Sequence, residues 1–331
     1  MAILKRSLTL KDLPPPPSDR TGWPWTEENQ PLPERMPDGS EWPRISVVTP
    51  SYNYGMFIEE TIRSVLLQGY PNLEYIIIDG GSTDNSIQII KKYEQYLAYW
   101  VSEPDEGQTD AINKGFSHCT GDLFVWLNSD DSYIDPTCFK TVSELSLKGY
   151  QLIAGSCQDV YTDGRKEIVN SMPATFERYL RFWLYRGWPQ PSVFIDKKIA
   201  NNCFPLDKKL YGLMDYQLFL RSLQQNPKSI FVNRIWTEIK YHGASKTEQN
   251  YAGGFAEFCQ VAGSESKNLP QVSRFLFSIE LEDYIAIHSI IYQTTLPNFG
   301  QMIHLLASRL TLARWKIFWR LMLQSILVKK I

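Results

Sequence analysis

The apolar run Leu123-Phe124-Val125-Trp126-Leu127 ends abruptly at Asn128-Ser129-Asp130-Asp131. That pattern reads as a buried strand whose carboxyl end carries two adjacent acids. In an α/β protein, this is where a metal ion is presented to a phosphorylated ligand. Asp130 is therefore a metal-ligand candidate, and the rest of the chain is read for a sheet that would place it.

The upstream sequence repeats the arrangement. Residues 45–49 are a β-rich run that opens into a loop at 50–55. Ile58, Ile62, Val65 and Leu66 then recur at helical spacing. Residues 75–78 read as a second strand, ending in Asp79. The turn Gly80-Gly81-Ser82-Thr83-Asp84 comes next with N-cap chemistry, Asp84 being the capping residue. Ile87, Ile90 and Leu97 mark the next helix; a short strand is expected at 99–102 and a helix at 109–117. Strands alternating with helices predict an α/β fold with a Rossmann-like, mostly parallel central sheet flanked by helices. Ligands of such sheets sit outside the strands' carboxyl ends. Three of those ends carry polar clusters, at 49–53, 79–84 and 128–131. Beyond residue 150 the pattern weakens. Strands are expected at 152–154, 193–195 and 230–239, a helix at 216–223, and a mostly helical stretch from 272 to 331, broken near Pro297.

The chain divides into three segments on this pattern. Residues 1–43 form an arm, because Pro14 to Pro17, Pro24, Pro31, Pro33, Pro37 and Pro43 prevent a regular helix or a central strand. Trp23, Trp25 and Trp42 imply that the arm packs on the neighbouring domain, since such rings seek a surface to cover. Residues 44–250 form the α/β domain, and 251–331 a mostly helical C-terminal region. The composition, 43% hydrophobic and 21% charged, is that of a folded globular protein. A net charge of −2 removes any general argument for nucleic-acid binding. Cys119, Cys138, Cys157, Cys203 and Cys259 are widely spread and form no CxxC, which favours reduced thiols in a cytoplasmic setting. No signal peptide opens the chain, and no apolar run approaches the roughly 18 residues of a spanning helix.

Four motifs in order carry a resemblance. Thr49-Pro50-Ser51-Tyr52-Asn53, then Asp79-Gly80-Gly81-Ser82-Thr83-Asp84, then Glu103-Pro104-Asp105 with Asp110-Ala111-Ile112-Asn113-Lys114-Gly115, then Asn128-Ser129-Asp130-Asp131 resemble family 2 glycosyltransferases of the GT-A fold. The resemblance implies a nucleotide-diphosphate-sugar donor, by family habit a UDP-sugar, a divalent ion (Mn²⁺ or Mg²⁺) and inversion at the anomeric carbon. It implies transfer to a saccharide or lipid-linked saccharide acceptor, in cell-surface polysaccharide or glycan synthesis. By the same resemblance Thr49, Pro50, Ser51 and Asn53 hold the nucleoside, Asp79 accepts from the base, and Asp110 contacts sugar or base. Family members often carry a second acid after Asp79; here it is Gly80. Asn128 stands where the usual motif has its first acid, so it and Ser129 contact ribose or sugar, and Asp130 aligns with the metal-binding carboxylate. Asp131 assists through water or positions a neighbouring loop. Asp110 and Lys114 also read as a plain i,i+4 ion pair, with Lys114 as a candidate to balance diphosphate charge.

Met214-Asp215-Tyr216 looks like the family's acidic dipeptide at a helix start with its first acid replaced, which makes Asp215 the candidate base. The alternative is a helix-start carboxylate favoured by the macrodipole. His242, in Tyr241-His242-Gly243-Ala244-Ser245-Lys246, is a candidate for metal or phosphate contact, and Ser245 and Lys246 for phosphate. Trp188-Pro189-Gln190-Pro191-Ser192 resembles the loop bordering the acceptor, which brings in Gln190. Trp183 and Trp188 suit either sugar stacking or core packing. Two other readings stay open. A nucleotidyltransferase would need a basic glycine-rich phosphate loop after the first strand, and 50–55 has no Lys or Arg. A non-catalytic sugar-binding or scaffold protein would not need Asp130 and Asp215 together. Near the C-terminus, Arg309, Lys316 and Arg320 share a helical stripe beside Ile303, Leu306, Leu310, Ile317 and Leu321. That pattern suits a peripheral contact with a membrane's inner face, or a helix packed on the protein or on another subunit. Oligomeric state is left open.

Overall fold

The structure is a computed structural model that describes residues 4–181, 187–243 and 251–293. The chain divides into two compact units, residues 1–173 with 188–254, and residues 174–187 with 255–331.

The first unit is built on β1 (Ile45–Ser51), β2 (Leu73–Asp79), β3 (Tyr99–Ser102) and β4 (Leu123–Trp126), parallel neighbours in the order β3-β2-β1-β4. Parallel neighbours need long crossovers. These are α1 (Ile58–Leu66) between β1 and β2, α2 (Ser86–Tyr93) between β2 and β3, and α3 (Gln108–His118) between β3 and β4. Every residue of β1 and β2 is buried, as central strands covered on both faces require. The covering is close: a Cβ on Gly115 of α3 would collide with Cγ1 of Val48, so only glycine lets the helix rest on β1 there.

The sheet continues past β4 with mixed polarity. After β5 (Ser132–Tyr133) and α4 (Cys138–Leu147) come β6 (Leu152–Val160), β7 (Lys166–Val169), α5 (Phe176–Leu180), β8 (Val193–Asp196), α6 (Lys197–Asn201), α7 (Met214–Gln224) and β9 (Ser229–Lys240). The spatial order from β4 is β8-β6-β9-β5, with β7 on β6. β8 is antiparallel to β4 and β6, and β6 runs parallel to β9.

The arm is built into this unit. Leu8, Leu13, Trp25 and Trp42 are buried in it. Prolines cannot donate hydrogen bonds, but their carbonyls accept, and one buried cation uses them. Arg63 of α1, 0% exposed, donates from Nε to the carbonyl of Pro24 (3.0 Å), from Nη1 to that of Pro14 (2.9 Å) and from Nη2 to that of Trp25 (3.1 Å). Nη1 also donates to the Tyr93 hydroxyl at 3.1 Å. Trp42 Nε1 donates to the carbonyl of Pro33 at 2.9 Å.

The second unit contains α5, most of α8 (Tyr251–Glu265) and α9 (Gln271–Gln293). Within it Arg181 Nε donates to Glu280 Oε2 at 2.6 Å, and Phe277 is buried. No described helix is long and apolar enough to cross a membrane. The basic, apolar stretch from Ile303 to Leu321, and Trp183, Ser245 and Lys246, lie outside the described residues.

Candidate active site

Because β1 to β4 are parallel, their carboxyl ends share one edge. Ser51 pairs with Asp79, and Asp79 with Ser102. The three polar clusters therefore leave the sheet together.

On the β1–β2 side the two loops are tied into one body. Asn53, in the left-handed region at φ 56°, donates its backbone N–H to Ser82 Oγ at 2.8 Å. Its side-chain Oδ1 accepts from Thr83 N at 2.8 Å. Asp84 accepts from Gly55 N (2.8 Å) and Ser86 N (2.9 Å); the N-cap of α2 is Asn85, one position on, so Asp84 braces the turn before the helix instead of capping it. Asp79 is fully buried. It accepts from Ser82 Oγ (2.5 Å), Ser82 N (2.8 Å), Gly81 N (3.1 Å) and Ser102 Oγ (2.7 Å). Four donors fill the usual acceptor capacity of a carboxylate. In this conformation Asp79 organises the turn instead of offering an open oxygen. Thr49 is likewise internal, its hydroxyl 3.1 Å from that of Tyr75. Pro50 and Ser51 complete β1, and the buried Ser51 Oγ has no partner in the structure.

Sequence reasoning gave Asp105 no role. A Cβ on Gly80 would sit 2.8 Å from Asp105 Oδ2, so the space of the missing second acid is filled by a carboxylate from the β3–α3 loop. Burial pushes the Asp105 carboxyl above its usual range, helped by the charges of Asp110 and Asp79. The motif Glu103-Pro104-Asp105 and the departure at Gly80 were the sequence signals pointing there.

At the start of α3, Asp110 is nearly buried. It faces Lys208 Nζ (2.6 Å) and Lys114 Nζ (3.4 Å), and accepts from Glu106 N at 3.2 Å. Burial acts to raise its pKa, but the Lys208 hydrogen bond and the other partners outweigh it, and the carboxyl lies below its usual range. Lys114 also donates to Glu103 Oε1 at 3.1 Å. The segment before α7 is pinned to the same helix: Thr109 Oγ1 donates to the carbonyl of Leu210 (2.8 Å), and Asn113 Nδ2 to that of Leu206 (2.9 Å). α7 then opens with Asp215 in its first turn, half-buried, accepting from Tyr216 N at 2.7 Å.

At the end of β4, Gln108 Nε2 donates to Asn128 Oδ1 (2.8 Å), and Asn128 Nδ2 donates to Asp131 Oδ2 (3.2 Å). Ser129 is buried. Asp130 Oδ2 lies 3.2 Å from His242 Nε2, which the end of β9 delivers from 112 positions away. Both side chains keep a little exposure, 15% and 16%. The imidazole stacks on Phe57 (centroids 4.6 Å apart) and meets Tyr54 edge-on (5.7 Å). The pKa of the Tyr54 hydroxyl is raised by burial and then by the charges of Asp130, Asp131 and Tyr211. Burial, and then the neighbouring Asp130 carboxylate, push Asp131 well above the carboxylate range.

The acceptor-loop residues divide. Trp188 is core: it is buried, its Nε1 donates to the carbonyl of Met172 (2.7 Å), and its ring packs on Phe219 and Phe231. Gln190 Nε2 donates to the carbonyl of Trp126 at 2.6 Å, which places this side chain against the end of β4, and its buried Oε1 has no partner.

No group of three or more His, Cys, Asp or Glu side chains converges on a metal position among the described residues. The donor set present is one carboxylate and one imidazole. That fits a divalent ion whose remaining positions are filled by water and by a ligand's phosphates, the usual arrangement for Mg²⁺ and accessible to Mn²⁺.

A parallel half-sheet with acids along its carboxyl edge, extended by antiparallel strands, is the GT-A architecture of glycosyltransferases. Residues 46–204 match the profile of glycosyl transferase family 2. An uncharacterized glycosyltransferase of Mycobacterium tuberculosis is 41% identical over 109 residues, 32% of this chain and 42% of the relative. A putative teichuronic acid biosynthesis glycosyltransferase of Bacillus subtilis is 35% identical over 124 residues, 34% of this chain and 48% of the relative. The chain thus matches less than half the length of these curated relatives. Among solved structures, S. aureus TarS in complex with UDP-GlcNAc superposes with a TM-score of 0.55 at 16% identity, over 86% of this chain and 80% of that one. A mannosyltransferase of Pyrobaculum calidifontis with GDP-Man and Mn²⁺ gives 0.52 at 16% identity, over 86% of each chain. At these identities the likeness is one of fold.

Proposed function

We propose that the protein is an inverting glycosyltransferase. It moves a sugar from a nucleoside-diphosphate sugar, a UDP-sugar foremost, to a saccharide or lipid-linked saccharide in cell-surface polysaccharide synthesis. The observation that carries this reading is the Asp130–His242 pair at 3.2 Å on the carboxyl edge of a parallel sheet. Names of relatives agree with it: one is a putative teichuronic acid biosynthesis enzyme, and the solved neighbours are complexes with UDP-GlcNAc and GDP-Man.

In this reading Asp130 and His242 hold a divalent ion against the donor diphosphate. When bound, the ion offsets the negative charge that grows on the leaving group. The tied loops at 51–55 and 79–86 form the nucleoside wall, with Asp79 holding their shape and Asp105 beside Gly80 offering a carboxylate oxygen. Asn128 and Ser129 border the ribose and sugar. Asp215 takes the proton of the acceptor hydroxyl as that oxygen forms its bond to the anomeric carbon. The bond from that carbon to the diphosphate breaks, and the nucleoside diphosphate leaves with the electron pair. Displacement from the opposite side inverts the centre.

A panel of UDP-, GDP- and dTDP-sugars, each assayed for ion-dependent thermal stabilisation and for hydrolysis, tests this. A ligand that prefers the native state raises the melting temperature. The expected result is stabilisation by one nucleotide class with Mn²⁺ or Mg²⁺, abolished in Asp130→Asn. No stabilisation and no turnover with any donor would remove the reading and favour a non-catalytic protein.

A further inference from the structure

Helix α1 carries a feature that the mechanism above does not use. An amphipathic helix against a sheet buries aliphatic residues, and α1 does so with Ile58, Ile62, Val65 and Leu66. Yet Thr61 and Ser64 of α1, and Gln68 in the turn just past its end, are also buried, at 1%, 0% and 2% exposure. A buried polar side chain costs stability unless its hydrogen bonds are made. All three are bonded, and besides bonds within the helix each reaches the segment that follows β4. Thr61 Oγ1 shares its one proton between the carbonyls of Asp131 (2.7 Å) and Ser129 (3.0 Å). Ser64 Oγ accepts from Tyr133 N at 3.1 Å. Gln68 Nε2 donates to the carbonyl of Asp135 at 3.2 Å. The polar stripe therefore grips the backbone of the acid-bearing segment, and Thr61 grips the two carbonyls on either side of Asp130.

The same helix reaches the other member of the pair. Phe57, just before α1, is the ring on which His242 stacks, with centroids 4.6 Å apart. Glu60 Oε1 accepts from Lys240 Nζ at 2.5 Å, two residues before His242 on the chain. Both groups are only 19% exposed. Asp130 and His242 come from segments far apart in sequence that the β5–β9 pairing already joins, and α1 with its N-cap Phe57 contacts each of those segments as well.

We infer that α1 is the positioning element of the ion-binding edge, and that Thr61 is the positioning residue that sets the direction of Asp130. The inference rests on reading Asp130 and His242 as ion ligands. Thr61 touches neither ion nor substrate; it acts through the backbone on both sides of the ligand. Groups of this kind typically change metal affinity by about 10–100-fold when removed.

The test is Mn²⁺ binding followed by electron paramagnetic resonance on the full chain, with UDP or GDP present and no acceptor. Thr61→Val keeps the shape and removes the hydroxyl; Thr61→Ser restores it; Val65→Ala loosens the core of the same helix without touching the loop. The expected result is Mn²⁺ affinity weakened about 10-fold or more in Thr61→Val, near wild type in Thr61→Ser, and near wild type in Val65→Ala even at a lower melting temperature. If Thr61→Val does not fold, Thr61→Ala is read the same way. Unchanged affinity in the hydroxyl-free variant, or equal weakening in Val65→Ala, overturns the role of Thr61 while leaving the ion site standing. A wild-type chain that binds no Mn²⁺ with either nucleotide overturns the ion site itself, and the positioning role with it.

Discussion

Asp79 and Asp130 both stand at the carboxyl edge of the parallel half-sheet, and the structure uses them in opposite ways. Asp79 is fully buried and accepts from Gly81 N, Ser82 N, Ser82 Oγ and Ser102 Oγ. Asp130 keeps 15% exposure and faces an imidazole. The difference lies in where local donors point. At the end of β2 the turn aims its N–H groups and hydroxyls at the carboxylate and consumes it. At the end of β4 the loop aims its polar groups at Asn128 and Asp131, and Asp130 is left for another partner. A strand-end acid is thus a brace or a ligand according to whether its own turn satisfies it.

Variants sharpen that contrast, beginning with the largest effect. Asp130→Asn should lower turnover by about 10³-fold, on the several kcal/mol an ion contributes to a departing phosphate, with little change in melting temperature. A comparable loss of stability and activity would make Asp130 a second brace. Asp215→Asn should reduce turnover by about 10²-fold or more, on general-base magnitudes, and leave donor binding intact; unchanged turnover removes Asp215 from the role. Asp79→Ala should behave in the opposite sense. It strands several buried donors and should cost about 3 kcal/mol or more in urea unfolding, with donor binding lost only as the loop disorders.

The smallest effect concerns Asp131, beside Asp130. Its folded pKa is raised, first by burial and then by the Asp130 charge. The stability linked to its protonated form is therefore full below the ordinary carboxylate pKa and is lost as pH rises toward the raised value. Asp131→Asn, which stays neutral, should melt above wild type near pH 7 in chelator, and the gap should close on acidification to about pH 4. A gap that does not change with pH would mean that the carboxyl is not raised.

The carboxyl ends of β1 to β4 were legible to within two residues, because polar breaks fall near where the sheet ends: β1 runs on to Ser51 where a loop is expected from residue 50, and β4 stops at Trp126, one short of Leu127. β3 occupies the expected 99–102, and α7 extends the expected helix by a turn fraction at each end. The state of each acid was less legible. Ser102 reaches Asp79 across 23 positions, and His242 reaches Asp130 across 112, and neither distance leaves a periodic trace. Trp188 illustrates another limit: an aromatic beside two prolines reads equally as a sugar platform or as core, and only its packing on Phe219 and Phe231 decides. Asp105 was hidden because its meaning depends on the glycine at position 80.

The guanidinium of Arg63 has a practical consequence. An expression boundary drawn at residue 44, where the recognisable domain starts, would remove the carbonyls of Pro14, Pro24 and Trp25 that hold Arg63 and uncover the apolar surface on which Leu8, Leu13, Trp25 and Trp42 are buried. Shortened versions of this protein should therefore be recovered as insoluble material.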